Sequence, residues 1–261
     1  MAAPRLIGLP RPPLHFSTLK AMALSPMHYA HLNAVGREET RSLRLGIALD
    51  AGVFSTRPVV VYQGDRRGAK WKDFEAVQDP AAVIITAKEE PLVAGMARAL
   101  LSRPDALELL RGTRQKTIDW TIAGRPCQGT PDAFTPERIT DLKTSRTAHP
   151  ERFPYEARRY GYLAQLAWYA TGLELAGYPR PKRGYIVAVE SAPPHPVTIF
   201  ELTERALEQG ERTWRLWFER LRACEESNAW PPYAEYAVPL DAPDDAEGFS
   251  LTIDGQETEV E

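Results

Sequence analysis

Cysteine is almost missing from this chain of 261 residues: Cys127 and Cys224 are the only two. That excludes a disulfide framework, zinc ribbons and any iron–sulfur cluster held by four thiolates. Two isolated thiols read as reduced side chains of a cytoplasmic protein. Long apolar runs are missing too. Nothing approaches the ~18 consecutive apolar residues that span a bilayer, and MAAPRLIGLPRPPLHF at the N-terminus lacks the apolar stretch of a secretory signal. Neither sign of charge dominates, with 32 Lys plus Arg against 35 Asp plus Glu and a net charge of −3. A histone-like binder is thereby excluded, although a locally basic groove is not. There is no phosphate-cradling P-loop and no Gly-x-Ser-x-Gly elbow, so neither an ATP-driven motor nor a serine hydrolase is supported.

What is present is an ordinary globular composition, 43% hydrophobic and 26% charged, in a chain long enough to bury a core without staples. The 23 prolines gather at connections: Pro10, Pro12 and Pro13; Pro193, Pro194 and Pro196; Pro231 and Pro232. They bracket a proline-rich entry segment (1–16), a main body (17–230) and an acidic, loosely packed tail (231–261). Within the body, Ser25-Pro26 reads as a capped helix start, and residues 37–52 carry a helical stripe of Leu43, Ile47 and Ala51. Residues 59–62 and 80–86 read as short strands, 65–73 as a basic, aromatic loop, and 88–101 and 104–112 as helices. Residues 116–122, 126–133 and 138–143 then alternate like the strands of one antiparallel meander. A long helix over 155–175, a strand pair at 183–189 and 197–202, and a final helix over 203–228 capped by Thr203 complete the pattern.

The segment GTPDAFTPERITDLKTS (129–145) holds the most chemistry. Asp132 ends one expected strand, while Asp141 and Lys143, two apart on the next, point to one face. A tight hairpin would bring the two carboxylates together as hard oxygen ligands for Mg²⁺ or Mn²⁺, with the Leu142 carbonyl as a third. Lys143 would then hold or deprotonate a water. That set suits phosphodiester hydrolysis, but the same residues also fit an exposed hairpin with a surface ion pair. Gln165 and Tyr169 share a face of the following helix. Arg158, Arg159, Tyr160 and Tyr162 precede them as a basic, aromatic stretch suited either to DNA contact or to plain packing. Arg66, Arg67, Lys70, Trp71 and Lys72 form a second such patch. His28 and His31 have no carboxylate company, and His28 reads as packing.

In that order, Asp132, Asp141-Leu142-Lys143 and Gln165-x-x-x-Tyr169 resemble the PD-(D/E)xK nuclease superfamily in its RecB-type branch. Ser17-x-Leu-Lys20, Ser25-Pro-x-His28-Tyr29 and Leu45-Gly-x-Ala48 resemble the nuclease domain of exodeoxyribonuclease VIII and its phage relatives, over roughly residues 15–225. The resemblance implies an α/β fold with a restriction-endonuclease-like core, a central mixed β-sheet flanked by helices. It assigns catalytic roles to Asp132, Asp141, Lys143, Gln165 and Tyr169. It implies a metal site of Asp50, Asp132, Asp141 and Leu142, and DNA contacts from Arg158, Arg159 and Tyr162. It further implies a Mg²⁺- or Mn²⁺-dependent exonuclease acting 5′ to 3′ on linear double-stranded DNA in phage-type recombination, as a homo-oligomer beside a single-strand annealing protein. Two departures stand out: Asp50 occupies the place of the family's metal-binding histidine, and Gln115 that of a glutamate before the first core strand. An endonuclease or single-strand nuclease of the same fold, and a DNA-binding protein with a decayed site, remain as alternatives.

Overall fold

The computed structural model describes residues 12–240 and two strands, Phe249–Ile253 and Gln256–Val260, that pair with each other as an antiparallel hairpin. Most of the proline-rich entry segment and residues 241–248 of the acidic tail lie outside the described residues.

The body opens with β1 (Leu14–His15), α1 (Phe16–Leu19) and a 3-10 turn over Lys20–Ala23. In α2 (Pro26–Val35) the Ser25 hydroxyl accepts the His28 N–H, with proline at the first position where no donor is lost. Thr40 caps α3 (Arg41–Phe54) by accepting the Leu43 N–H at 3.2 Å. Strands β2 (Val59–Tyr62) and β3 (Val83–Thr86) pair in parallel around α4 (Gly68–Ala76). The loop expected over 65–73 is therefore irregular only at its start. Residues 68–76 coil into α4 because Trp71 and Phe74, three apart, share a face that packs on Tyr62, with ring centroids 5.2 and 4.8 Å away. Helices α5 (Glu90–Leu101) and α6 (Pro104–Leu109) follow.

Next come β4 (Thr113–Arg114), β5 (Ile118–Ile122), β6 (Arg125–Gly129), β7 (Ala133–Phe134) and β8 (Arg138–Ser145). The expected single meander is divided between two sheets, ordered β1-β6-β5 and, after β9 (Arg183–Glu190) and β10 (Val197–Leu202), β10-β9-β8-β7-β4. The division falls at residues 130–132. Pro131 has no N–H to continue a ladder, and Gly129 is pressed against Tyr169, whose ring would lie 2.6 Å from an added Cβ.

In the five-stranded sheet β8 and β9 run parallel over eight paired residues, from Arg138↔Arg183 to Ser145↔Glu190, and the other pairings are antiparallel. The sheet is thus mixed, and its centre is buried on both faces. Ile139, Ile186 and Ala188 join Leu166, Trp168 and Trp214 of α8 (Tyr162–Leu175) and α9 (Glu204–Ser227). Leu142, Val187 and Val189 join Leu45, Leu49, Met96 and Leu100 of α3 and α5 on the other face. This is the expected α/β architecture, a restriction-endonuclease-like core with helices on both sides. Both cysteines are buried, and burial pushes the Cys127 thiol up to about 12, far from a reactive thiolate. Among the described residues no helix is long and apolar enough to cross a membrane.

Helices α8 and α9 lie close at Gly210, where an added Cβ would sit 2.3 Å from the Leu163 carbonyl oxygen. Backbone cannot swing aside as a side chain does, so Gly210→Ala is expected to destabilise the fold by about 1–3 kcal/mol. Thermal unfolding should show a fall of roughly 2–4 °C per kcal/mol in a chain of this size. An unchanged melting temperature would show that the two helices separate freely.

Candidate active site

Along β8 the side chains alternate between the two cores, and the stripe begun by Ile139 on the α8 side continues with Asp141 and Lys143. An apolar stripe thus turns ionic halfway along its strand. Asp141 is only 3% exposed, and the Lys143 Nζ lies 2.5 Å from its Oδ2. No donor other than this ammonium reaches Oδ2 among the described residues. Burial alone would lower the Lys143 pKa. The Asp141 and Asp132 carboxylates outweigh it and hold the ammonium well above lysine's ordinary value.

Asp132 stands one step beyond the Ala133↔Thr140 pair, across from Asp141. Its Oδ2 accepts the Leu142 N–H at 2.7 Å and its Oδ1 accepts the Gln115 side-chain amide at 2.9 Å. The Gln115 backbone N–H also donates to the Asp132 carbonyl at 3.1 Å. Gln115 reaches this position from a left-handed turn at φ 48°. Because N–H and C=O of one strand residue point the same way, the Leu142 carbonyl also faces the Asp132 side, beyond the end of β7.

Asp50 arrives on α3, which lies close over β8: an added Cβ at Gly46 would be 3.0 Å from the Thr144 Oγ1. One turn later Asp50 feels the charges of Lys143 and Asp141. Burial raises its pKa from 3.8 to about 7, helped by Asp141 and opposed by Lys143 and Arg57. Burial, with Asp141 and Asp50 adding to it, likewise pushes Asp132 well above the carboxylate range. Two carboxyls that do not ionise freely beside Asp141 mark a site with more acid than positive charge to match it.

The helix expected over 155–175 is two helices, α7 (Phe153–Arg159) and α8, broken at Gly161. That glycine sits at φ 71° with the Trp217 ring 3.1 Å from where a Cβ would be. Within α8 the Gln165 Nε2 donates to the Tyr169 hydroxyl at 3.2 Å. Burial raises the Tyr169 pKa to about 12, with Asp141 adding to the shift, which places this pair beside the acidic centre. Tyr162 lies there too, its ring centroid 5.1 Å from the Lys143 Nζ. Arg158 and Arg159 are exposed on α7, so they stand on a separate helix at the margin of the site.

The other candidates are tied into structure. His28 bonds to Ser25 and packs at a tilt against Tyr233, with ring centroids 5.0 Å apart. Arg66 bonds to Glu39 and to the Ile84 carbonyl and lies over Trp71. Lys20 is the residue whose place the sequence did not show. Burial, with Arg37 and Lys143 nearby, lowers its pKa to about 8, and no carboxylate pairs with it among the described residues. The hints were its place at the end of Ser17-x-Leu-Lys20 and its position in an otherwise apolar segment.

A family described as a PDDEXK-like domain of unknown function (DUF3799) matches residues 16–241, nearly the whole described body. The chain belongs to this PDDEXK-like family. No curated protein matches it. Among solved structures, a protein of Eubacterium rectale described as a putative exonuclease aligns with a TM-score of 0.63 at 15% identity, over 88% of this chain and 90% of that one. The two share a fold. An alkaline exonuclease of Laribacter hongkongensis aligns at a TM-score of 0.31 and 17% identity, over 69% of this chain and 89% of that one. That likeness is too loose to bear on the fold.

PDDEXK nucleases generally depend on a divalent metal. The donors of this PDDEXK-like domain fit one: they are all hard oxygens, the buried Asp141 Oδ2 has no partner besides the Lys143 ammonium among the described residues, and two neighbouring carboxyls carry raised pKa values. Among the described residues no three His, Cys, Asp or Glu side chains already stand as a group ready to hold a metal ion. Asp132 retains a second lone pair on each oxygen while its two donors hold it in place.

Because a raised carboxyl must lose its proton before it can bind a cation, Mn²⁺ affinity should climb as pH rises through about 7, where Asp50 ionises. Calorimetric titration between pH 5.5 and 8 checks this. Asp50→Asn should bind more weakly and flatten the rise, and an identical pH profile in that variant would remove Asp50 from the site.

Proposed function

We propose that this chain is a Mg²⁺- or Mn²⁺-dependent deoxyribonuclease. The observation that carries the reading is the buried juncture where Asp132, just ahead of β7, stands across from Asp141 on β8, whose Oδ2 lies 2.5 Å from the Lys143 Nζ. The cation would be held by Asp50, Asp132, Asp141 and the Leu142 carbonyl, and would stabilise negative charge on the phosphate as the P–O bond breaks. Lys143 keeps its proton because of Asp141, so its part is to orient the attacking water and neutralise a phosphate oxygen, rather than to remove a proton. Gln165 gives its amide N–H to Tyr169, which leaves its carbonyl oxygen free to accept from the water. Tyr162 walls the site and fixes the lysine's direction. Lys20, Arg158 and Arg159 supply charge to flanking phosphates.

The narrower reading is an exonuclease that shortens linear double-stranded DNA from a 5′ end during phage-type recombination. It works as a homo-oligomer that hands single strands to an annealing protein. What supports this is the resemblance of residues 15–225 to exodeoxyribonuclease VIII. Digestion of end-labelled linear, nicked and circular DNA tests it: only the linear form should disappear, and cleavage of closed circles would make the chain an endonuclease.

One observation favours a second reading. The Gln115 amide occupies Asp132 where the family's glutamate would add a ligand, which fits a DNA-binding protein with a decayed site. Metal separates the two readings. Gln115→Glu should tighten Mn²⁺ binding several-fold in a working site, and a chain that binds no Mn²⁺ as wild type supports the decayed one.

Lys143 gives the sharper test. Lys143→Ala should cut cleavage at least about 10²-fold while DNA binding stays near wild type, with circular dichroism confirming the fold. Lys143→Arg should rescue little, since a broad guanidinium does not replace a compact ammonium. If the alanine variant cuts at the parental rate, the hydrolytic role assigned to this lysine is wrong.

A further inference from the structure

The elbow between α7 and α8 is left over by the hydrolytic machinery. It carries two exposed rings, Tyr155 at 71% and Tyr160 at 39%. Tyr160 stacks on Tyr162, with centroids 5.9 Å apart and planes at 27°, and Tyr162 in turn lies under the Lys143 ammonium. The rings therefore step outward from the catalytic lysine to solvent. Cations flank them: the Arg159 guanidinium is 5.8 Å from the Tyr160 ring and that of Arg158 is 5.6 Å from the Tyr155 ring. Among the described residues neither arginine pairs with a carboxylate, nor does Arg152 at the start of α7. Glu156, on the same helix, is already held by Arg146 at 2.8 Å.

From this arrangement we infer that the elbow is a binding platform for single-stranded DNA, which carries the strand running to or from the cut bond. The inference rests on the deoxyribonuclease reading for its position beside that bond. Exposed ring faces next to unpaired arginines match the two surfaces of a single strand, its bases and its phosphates. A duplex hides its base faces inside the stack and would meet the arginines alone. The break at Gly161 brings Tyr160 against Tyr162, because residues two apart on a continuous helix do not face each other. The substrate class that follows is DNA with a frayed or separated strand at the site.

Fluorescence anisotropy with labelled oligo(dT) and with a blunt duplex, both in EDTA so that nothing is cut, tests the platform. Tyr155→Ala and Tyr160→Ala should each weaken oligo(dT) binding about fivefold or more, the loss expected for one stacked base, and change duplex binding less than twofold. Tyr160→Trp should keep the affinity, and oligo(dT) should quench its indole emission. Arg158→Ala should lower the salt dependence of oligo(dT) binding by about 0.7 of a logarithmic unit. Equal losses on duplex and single strand, or an unchanged oligo(dT) affinity, would overturn the proposal. So would a change of oligomeric state with strand affinity intact, which would make the elbow a contact between copies. Because these readings need no metal, they stand apart from the chemistry: a chain that cuts no DNA yet loses strand affinity in the tyrosine variants would refute the nuclease and leave the platform.

Discussion

Three carboxyl groups share a space in which water is scarce, and most of what surrounds them answers that one electrostatic difficulty. A buried charge without a partner is among the costliest features a fold can hold. Asp141 meets the cost through Lys143, its neighbour along the same strand face. Asp132 meets it through the Leu142 N–H and the Gln115 amide, and Asp50 by keeping its proton up to about pH 7. The remaining deficit of positive charge makes the place receptive to a cation. Lys20, drawn in with no acid of its own, has its pKa lowered to about 8 by burial and by the neighbouring charges of Arg37 and Lys143.

The scaffold holds these groups together through a few close approaches. Gly46 lets α3 lie against Thr144 and so carries Asp50 to the sheet. Gly129 yields to the Tyr169 ring, which ends one sheet and lets the chain start another at Asp132. The edge-on run from Trp120 to Trp168 to Trp214, with centroids 5.1 and 5.2 Å apart, fills the core behind α8 and fixes the depth at which Gln165 and Tyr169 face Asp141.

Much of this was legible in the residues. The spacing of Asp141 and Lys143 gives a shared face, Ser25 and Thr203 mark helix starts, and the alternation of 138–143 gives the central strand. What stayed hidden depended on contacts distant in the chain. The break at Gly161 needs Trp217, which lies in the last helix. The split of the expected meander needs Tyr169 and the parallel pairing of β6 with β1. Residues 68–73 read as part of a loop because their charges hide a two-ring face that Tyr62 reveals. Gln115 looked like surface, and its role follows from a turn with positive φ that local sequence does not announce.

The parallel pairing of β8 with β9 requires a crossover, and that crossover is α7 and α8 themselves. Asp132, Asp141, Lys143, Tyr162, Gln165 and Tyr169 therefore all fall within one contiguous stretch that closes on its own sheet. The first half of the chain lends only Asp50, Lys20 and Gln115 to the same centre. Such a layout gathers most of the acidic centre from residues close in sequence, so one stretch of chain carries it as a unit. The small β2–α4–β3 unit stands outside that stretch and touches the centre through α3, where Val83 and Ile85 pack on Ala48 and Ala51 beside Asp50. A change in that unit therefore reaches the acids by moving one helix.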